Sequence, residues 1–358
     1  MRSFAMELSF IDTGVVSLNP LVTYTKRHIP TPIGLAGACP QLFEGRKSLH
    51  LVSPCWNLYP SDIAEIVKEW RVAMDRLPEA MIIVLASTER EAFELSRVGV
   101  PTLPCNVSIL VDETVYRPMQ PLDFSNAEHA AIYNARFEPY KRHELARLVD
   151  NLSLIHDARF DGSQSPHETE VRRLLPNARY INHEQGNGRY VALDKSAIAR
   201  EINRARCGLC LSADEGVMRA SIEYLMCGIP VVSTHSLGGR DRYYQEPYAL
   251  LVADDAQAVA DAVIEIGKRK LNKLAIRDHV GRLVEFERRN FLNAVNALAY
   301  KHFGAKGLFT SLAAFTQANP FTEPLSDWSR QKLIKLADTL DIKLPPLTKG
   351  QDPLGETS

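Results

Sequence analysis

Two glutamates, Glu215 and Glu223, lie eight positions apart in the stretch SADEGVMRASIEYLMCGIPVVSTHSLGG, residues 212–239. A buried strand, CGLCLS, is predicted just before them. A helix is predicted from about Val217, so that its free N–H groups point toward the loop of Glu215. Carboxylates accept hydrogen bonds from sugar or ribose hydroxyls, and a helix start favours a nearby phosphate. The spacing alone also fits two ordinary helix residues, one on the helix dipole and one solvated.

Two cations form a second candidate group, in the stretch YNARFEPYKRH. Arg136 and Lys141 follow a predicted strand and precede a predicted helix. A planar guanidinium and a compact ammonium in one turn can both reach phosphate oxygens, and together they could neutralise a diphosphate. A solvated basic turn without a ligand is the equally simple alternative.

The elements that would position these residues alternate between strand and helix, which predicts parallel sheets. SLHLVSP and AMIIVLAS read as strands, each followed by a helical pattern. A proline-rich linker follows, and a second series then runs from the strand HAAIYNA to the helix AQAVADAVIEIG and includes a predicted helix over KRHELARLVDNL. Residues 1–47 show no clear period, so no elements are predicted there. Ligands are expected outside the carboxyl ends of the strands.

Composition limits the class of protein. The 358 residues are 45% hydrophobic and 24% charged, with a net charge of −1, which is typical of a globular protein. This charge does not indicate a nucleic-acid partner. No apolar run is long enough for a membrane span, and the six cysteines read as reduced core residues. A cytoplasmic protein is expected.

Three motifs together resemble a known family. NARFEPYK is similar to the GR(L/F)xxxKG turn of retaining GT-B glycosyltransferases, especially glycosyltransferase family 4 (glycosyl transferases group 1). Residues 212–239 are similar to SxxEGxxxxxxEAxAxGxPVVxTxxGG, and CNVSILVDETVYRP to xxNGVDxxxFxP. The resemblance implies an α/β protein of two doubly wound, Rossmann-like domains facing a cleft. The expected divisions are a reduced N-terminal domain (1–118), a donor-binding domain (119–304) and a helical extension (305–358).

The resemblance also implies a role for each matching residue. Arg136 and Lys141 would bind the donor diphosphate, Glu215 the transferred sugar and Glu223 the nucleotide ribose. Catalysis would rest on Glu215, Arg136 and Lys141, without a metal or a cofactor. The remaining expected donor contacts come from backbone and small residues: Gly216, Val217, Met218, Gly238 and Gly239.

Several positions depart from the family pattern. Ala135 and Arg142 replace its two turn glycines, and Tyr224 replaces the alanine after the second glutamate. Arg240 and Arg242 are candidates for the acceptor side.

Two histidines of the N-terminal domain, His50 and His28, are candidates for cleft residues, and His50 is also a third candidate for the acceptor side. A lone histidine is more often structural.

The function expected from this resemblance is hexosyl transfer from a nucleoside diphosphate sugar to a hydroxylated acceptor, with retention of configuration. The shortened N-terminal domain leaves open a second function: a catalytically weak protein that binds nucleotide sugars or a partner. A sugar phosphorylase is a third possibility. The acceptor could be a saccharide, lipid, protein, nucleic acid or small metabolite.

Overall fold

The strands fall into two sheets, one in each of two units. The computed structural model describes residues 12–27, 33–54, 56–125, 127–157, 166–317 and 336–341. The first unit combines Met1–Val107 with Glu287–Ser358, and the second is Ser108–Phe286. The boundaries predicted after residues 118 and 304 therefore differ from those of the structure, which groups the C-terminal segment with the first unit.

The first unit contains a five-stranded sheet whose strands lie in chain order. β1 pairs with β2 antiparallel, and the remaining neighbours pair in parallel. Every residue of SLHLVSP is buried, as is typical of a parallel strand covered on both faces. The strands are β1 (Asp12–Leu18), β2 (Leu21–Arg27), β3 (Ser48–Pro54), β4 (Ala80–Ala86) and β5 (Thr102–Pro104). The helices wholly in this unit are Gly34–Ala38, Pro60–Arg76, Glu89–Arg97 and Leu312–Gln317.

The sequence placed no elements in residues 1–47, but the structure has β1 and β2 there. Val15 and Val22 are fully buried, and both strands contain the β-branched residues that favour extended structure. Two of the prolines that obscured this pattern, Pro20 and Pro40, lie outside the strands. Pro20 is in the turn between the two strands, and Pro40 begins a short 3₁₀ helix. β5 was likewise hidden, inside the predicted linker.

The second unit contains a six-stranded parallel sheet in the order β11-β10-β9-β6-β7-β8. With β6 to β11 renumbered 1 to 6 and the sheet read from its β8 edge, this order is 3-2-1-4-5-6, the arrangement of Rossmann-type nucleotide-binding sheets. The strand order reverses between β6 and β9. The strands are β6 (Ala131–Asn134), β7 (Leu152–Ile155), β8 (Arg179–Tyr180), β9 (Gly208–Cys210), β10 (Val231–Thr234) and β11 (Ala249–Val252). The doubly wound α/β prediction is confirmed for this unit.

The predicted helices of this unit are present with one exception. KRHELARLVDNL forms no α-helix; instead two 3₁₀ helices, Pro139–Lys141 and His143–Ala146, flank Arg142. Arg142 has a φ of 54°, in the left-handed region, which interrupts a right-handed helix. The α-helices are Glu168–Leu174, Ile181–Glu184, Lys195–Asn203, Arg219–Met226 and Ala256–Lys268, and the 31-residue helix Lys273–Phe303 carries residues of both units.

Tyr224, which departs from the family pattern, is accommodated by a glycine. The ring is fully buried and lies against Gly208 of β9, where a Cβ would come within 2.1 Å of it. The hydroxyl oxygen accepts a hydrogen bond of 2.7 Å from the backbone N–H of Asn134, at the end of β6. The tyrosine therefore fills space that the missing glycine side chain leaves and joins its helix to β6.

The cysteines that the structure describes are free and buried, as expected of reduced core residues; they are Cys39, Cys105, Cys207, Cys210 and Cys227. Cys55 lies outside the described residues. Among the helices in the described part of the chain, none has both the length and the apolar character needed to cross a membrane.

Candidate functional site

Three loops at the carboxyl-end edge of the second sheet carry most of the predicted donor residues. The loop after β6 contains Arg136 and Lys141, the loop after β9 contains Glu215, and the loop after β10 contains Gly238. β6 and β9 are neighbours at the point where the strand order reverses. Open α/β sheets bind their ligands outside the strand ends at such a point.

Lys141 and Glu215 form an ion pair at this edge. The Lys141 ammonium contacts Glu215 Oε1, and the Ser212 hydroxyl donates to the same oxygen over 2.8 Å. The two residues are only 8% and 7% exposed. The backbone of Lys141 is held as well, because the buried Tyr133 hydroxyl of β6 donates to its carbonyl. The structure thus brings together two predicted site residues that are 74 positions apart in the chain.

Arg136 lies half-buried in the same turn. Between it and Lys141, Tyr140 presents its ring 5.0 Å from the Lys141 ammonium. Burial raises the pKa of Tyr140 to about 12, and the Glu215 carboxylate adds to this, whereas Arg136 opposes it. The phenol is therefore neutral at physiological pH and can only donate or accept hydrogen bonds. The turn after β6 therefore carries two cations, and Lys141 joins it to the Glu215 carboxylate in the loop after β9.

Arg142 ties the strand ends together from the position at which the family pattern has glycine. Its Nε donates to the Leu211 carbonyl and its Nη2 to Thr234 Oγ1, each over 2.6 Å, and its Nη1 lies 2.7 Å from Asp254 Oδ2. These partners follow or end β9, β10 and β11. A left-handed φ costs a non-glycine residue about 1 kcal/mol, which these contacts offset.

Glu223 has a different environment from Glu215. It is half-buried in the helix Arg219–Met226, and the buried Tyr116 hydroxyl donates to its carboxylate. Burial raises the pKa of Glu223, while Arg219, one turn earlier, and Tyr116 oppose the rise. Sequence reasoning missed Tyr116 as a site residue, although it lies in the stretch CNVSILVDETVYRP that resembles the family pattern. The aromatic residue in that motif was the available signal.

Gly238 allows the loops after β9 and β10 to touch. A Cβ at Gly238 would lie 1.4 Å from the Glu215 carbonyl oxygen, so no side chain fits there. The adjoining backbones are hydrogen-bonded, from Gly239 N–H to the Gly216 carbonyl over 2.8 Å and from Leu237 N–H to the Ala213 carbonyl over 3.0 Å. The glycine pair therefore sets the position of the backbone that carries Glu215.

The helix after Glu215 begins at Arg219, two residues later than Val217, where it was predicted. Gly216 and Met218 are buried, Val217 is half-buried, and Met218 precedes the helix in an extended conformation. Among the described side chains, none caps this helix, and its first turn has no acidic residue. The Ser221 N–H donates to the Met218 carbonyl over 3.1 Å, and the N–H groups that start the helix before it can donate to a ligand or water.

Of the two arginines predicted for the acceptor side, Arg240 has a structural role. Arg240 is 2% exposed, and its guanidinium donates to the carbonyls of Ser212 and Thr234, so it braces the ends of β9 and β10. Arg242 is exposed in the same loop.

His50 of the first unit is a core residue, which corrects its assignment to the acceptor side. Its two ring nitrogens each lie 2.8 Å from a hydroxyl, of Thr23 and of Ser48, and its ring packs edge-on against Phe43. Burial lowers its pKa to about 3. His28 lies outside the described residues.

Comparisons with known proteins agree with this architecture. Residues 131–268 match the sequence profile of the family Glycosyl transferases group 1. An alpha,alpha-trehalose-phosphate synthase (UDP-forming) from Burkholderia vietnamiensis is similar in structure, with a TM-score of 0.50 and 13% identity over 77% of this chain and 72% of that one. HepE of Anabaena, solved in complex with UDP, has a TM-score of 0.46 and 16% identity over 67% of this chain and 72% of that one. No curated protein matches the sequence.

The matched residues include all six strands of the second sheet, the Lys141–Glu215 ion pair and the glycine pair. The profile match and the fold similarity to the synthase from Burkholderia vietnamiensis both indicate the same fold. Residues 131–268 therefore match the glycosyl transferases group 1 family, and the chain shares the fold of the GT-B glycosyltransferases.

Proposed function

We propose that this chain transfers a sugar from a nucleoside diphosphate sugar to a hydroxylated acceptor, with retention of configuration and without a metal at the reacting group. The contact between Lys141 and Glu215, beside the reversal of strand order, carries this proposal. The contact supports the proposal because Rossmann-type sheets bind their ligands outside the strand ends at such a reversal, where a cation and a carboxylate can contact a sugar diphosphate.

The chemical need in such a transfer is to stabilise the departing nucleoside diphosphate. Negative charge grows on the β-phosphate as the bond to the anomeric carbon breaks. The Lys141 ammonium and the Arg136 guanidinium share the turn after β6 and can neutralise this charge. The uncapped start of the helix at Arg219 offers further N–H donors. These groups supply the stabilisation that a metal gives in other phosphoryl-leaving reactions.

The two glutamates bind hydroxyls in this proposal and do not act as a glycosidase pair. Glu215 accepts from the transferred sugar, and it keeps the Lys141 ammonium near the sugar end of the diphosphate. Glu223, oriented by the Tyr116 hydroxyl, accepts from the ribose. The resemblance to family 4 supports retention without an obligatory carboxylate nucleophile.

Two further observations support the choice of donor and compartment. The structurally similar synthase from Burkholderia vietnamiensis is described as UDP-forming, which is consistent with a nucleoside diphosphate as leaving group. The free, buried cysteines of the described residues fit a reducing compartment, and we therefore place the reaction in the cytoplasm.

A screen for thermal stabilisation by nucleoside diphosphates and their sugars tests the donor proposal. A true donor at 100 times its dissociation constant raises the free energy of unfolding by about 2.7 kcal/mol. With the donor identified, Lys141→Ala should lower transfer about 100-fold to 1000-fold, because it removes one preorganised charge donor. The matched control is Arg147→Ala, an exposed cation in the next turn. Unchanged turnover of Lys141→Ala would contradict the mechanism.

One observation favours the second function, a binding protein of low activity. The structure turns two of the three acceptor-side candidates, Arg240 and His50, into internal braces. Calorimetric binding of a nucleoside diphosphate, together with neither transfer nor donor hydrolysis across a panel of acceptors, would identify this function. Donor hydrolysis or transfer that depends on Lys141 would exclude it.

A further inference from the structure

A cluster of two histidines and a glutamate lies at the same sheet edge, beside the donor residues. His156 directly follows β7, His183 is in the helix Ile181–Glu184 that follows β8, and Glu168 begins the helix Glu168–Leu174. One side-chain ligand atom from each of the three residues lies within 4.8 Å of the other two. The topology of the sheet therefore gathers three groups that the sequence separates by a dozen residues or more.

The histidines of this cluster have unused nitrogens. His156 and Glu168 are 4% and 7% exposed, and His183 is half-buried. In the described part of the chain, His156 Nδ1 and His183 Nε2 are buried without a hydrogen-bond partner. A buried polar atom without a hydrogen-bond partner is destabilising, and two such atoms in one cluster indicate a ligand that they could bind.

The geometry matches a metal-binding group. His183 Nε2 lies 3.4 Å from Glu168 Oε1. Two ligands on a tetrahedral zinc ion, with bonds of about 2.0–2.2 Å, are separated by about 3.4 Å. Nitrogen ligands with one carboxylate favour a transition metal such as Zn²⁺ over Mg²⁺ or Ca²⁺, which prefer oxygen.

Surrounding groups hold the three side chains in place. Arg172 donates to Glu168 Oε1 from two nitrogens, over 2.9 and 2.7 Å, and so orients the carboxylate. His183 Nδ1 lies 3.4 Å from the Gly188 carbonyl, which favours a proton on Nδ1 and leaves the Nε2 lone pair free. Phe137 stacks on His156 with 4.0 Å between ring centroids, and Tyr190 packs beside it at 5.2 Å.

We propose that His156, Glu168 and His183 bind a divalent transition-metal ion, best satisfied by Zn²⁺, with the remaining position taken by water. The ion would join the end of β7 to two helices that otherwise meet through side chains. It is separate from the proposed sugar transfer, which involves neither histidine. Phe137, which lies between Arg136 and Lys141 in the turn after β6, is the link through which the ion would also stiffen the donor turn.

The test is a titration of Zn²⁺ into the full-length, chelator-stripped protein, followed by calorimetry and thermal unfolding. We expect one ion per chain, with a dissociation constant in the micromolar range or below and a rise in the melting temperature. Co²⁺ should give the visible absorption of a four-coordinate ion. The absence of stoichiometric uptake by the folded wild-type protein would overturn the proposal without any variant.

Variants then locate the ion. His156→Ala and His183→Ala should each weaken Zn²⁺ binding about 100-fold or more, and Arg172→Ala about 10-fold to 100-fold, because it only orients a ligand. The control is His235→Ala, which removes an exposed histidine of the same unit and should leave affinity unchanged. Circular dichroism identifies the variants that fold. Undiminished Zn²⁺ binding by folded His156→Ala or His183→Ala would overturn the assignment.

Discussion

At the scale of single residues, the site depends on side chains that hold other side chains. Glu215 accepts from Lys141 and Ser212, and Glu223 accepts from Tyr116. The family resemblance, and not the spacing alone, predicted that the two glutamates belong to one motif. Their partners differ, because Glu215 contacts a cation and Glu223 accepts from a neutral hydroxyl.

Replacing Tyr116 by phenylalanine tests the role of that donor. The change removes one hydrogen bond to the Glu223 carboxylate, so the pKa of Glu223 should rise further and its orientation should loosen. We expect the affinity for a nucleoside diphosphate to fall about 2-fold to 10-fold, the worth of one hydrogen bond. Calorimetry with the diphosphate measures this.

A suitable control for this change is Tyr300→Phe, at an exposed tyrosine of the first unit. Equal affinities for Tyr116→Phe and the wild type would show that Tyr116 does not position Glu223 for binding.

At the scale of elements, the strand-end loops are locked to one another by backbone contact and by Arg142. Gly238 touches the Glu215 carbonyl, and Arg142 reaches the ends of three other strands. Because the loops come from different strands, their positions depend on each other. A substitution in one of these loops should therefore change the position of Glu215.

Gly238→Ala should displace the loop of Glu215. Its Cβ would overlap a backbone oxygen that cannot move aside alone, so we expect a lower melting temperature and at least a 10-fold loss of donor binding. Gly267→Ala is the matched control, because its Cβ would meet only Arg206 Cδ at 3.8 Å. Within a helix that substitution should stabilise by about 0.5–1 kcal/mol. Wild-type donor binding by Gly238→Ala would contradict this account of the loop.

Two variants at Arg142 distinguish the effect of backbone strain on stability from the effect of the side-chain contacts. Arg142→Ala removes the contacts and keeps a non-glycine residue at a φ of 54°, whereas Arg142→Gly removes both the contacts and the strain. We expect both variants to bind the donor more weakly. The alanine variant should unfold more readily than the glycine variant by about 1 kcal/mol. Urea denaturation measures the difference, and the reverse order of stability would refute the strain argument.

At the scale of the whole molecule, each unit encloses a histidine that is neutral when folded. Burial lowers the pKa of His50 in the first unit and of His143 in the second to about 3. Both are 1% exposed or less. In the unfolded chain these rings take up a proton near pH 6.5, so acid favours unfolding.

The free energy of unfolding should therefore be highest above about pH 6.5 and should fall as the pH drops toward 5. Each histidine contributes a slope of up to about 1.4 kcal/mol per pH unit. Glu91 and Glu223, whose pKa values burial raises, act in the opposite direction at lower pH. Urea denaturation at a series of pH values measures the slope, and a flat profile from pH 7 to 5 would contradict the burial of these rings.

Sequence periodicity predicted most strands and helices, since buried runs such as SLHLVSP and AMIIVLAS are local features. It failed for β1 and β2, where connecting prolines masked short β-branched runs, and for KRHELARLVDNL, where one left-handed residue breaks the helix. The resemblance of the motifs predicted the fold and gave Lys141 and Glu215 as the expected donor residues. Strands, helices and motifs can be predicted in this way because each is formed by residues that are close together in the chain.

By itself, then, the sequence determined the elements of the second sheet and which residues lie at its strand ends. Only the tertiary structure decided the partners: Lys141 with Glu215, Tyr116 with Glu223, and Arg142 with three strand ends. It also decided that Arg240 and His50 are internal and that His156, Glu168 and His183 converge. Periodicity reports the local conformation of the chain. These contacts join loops far apart in the sequence, and strand order alone brings such loops together.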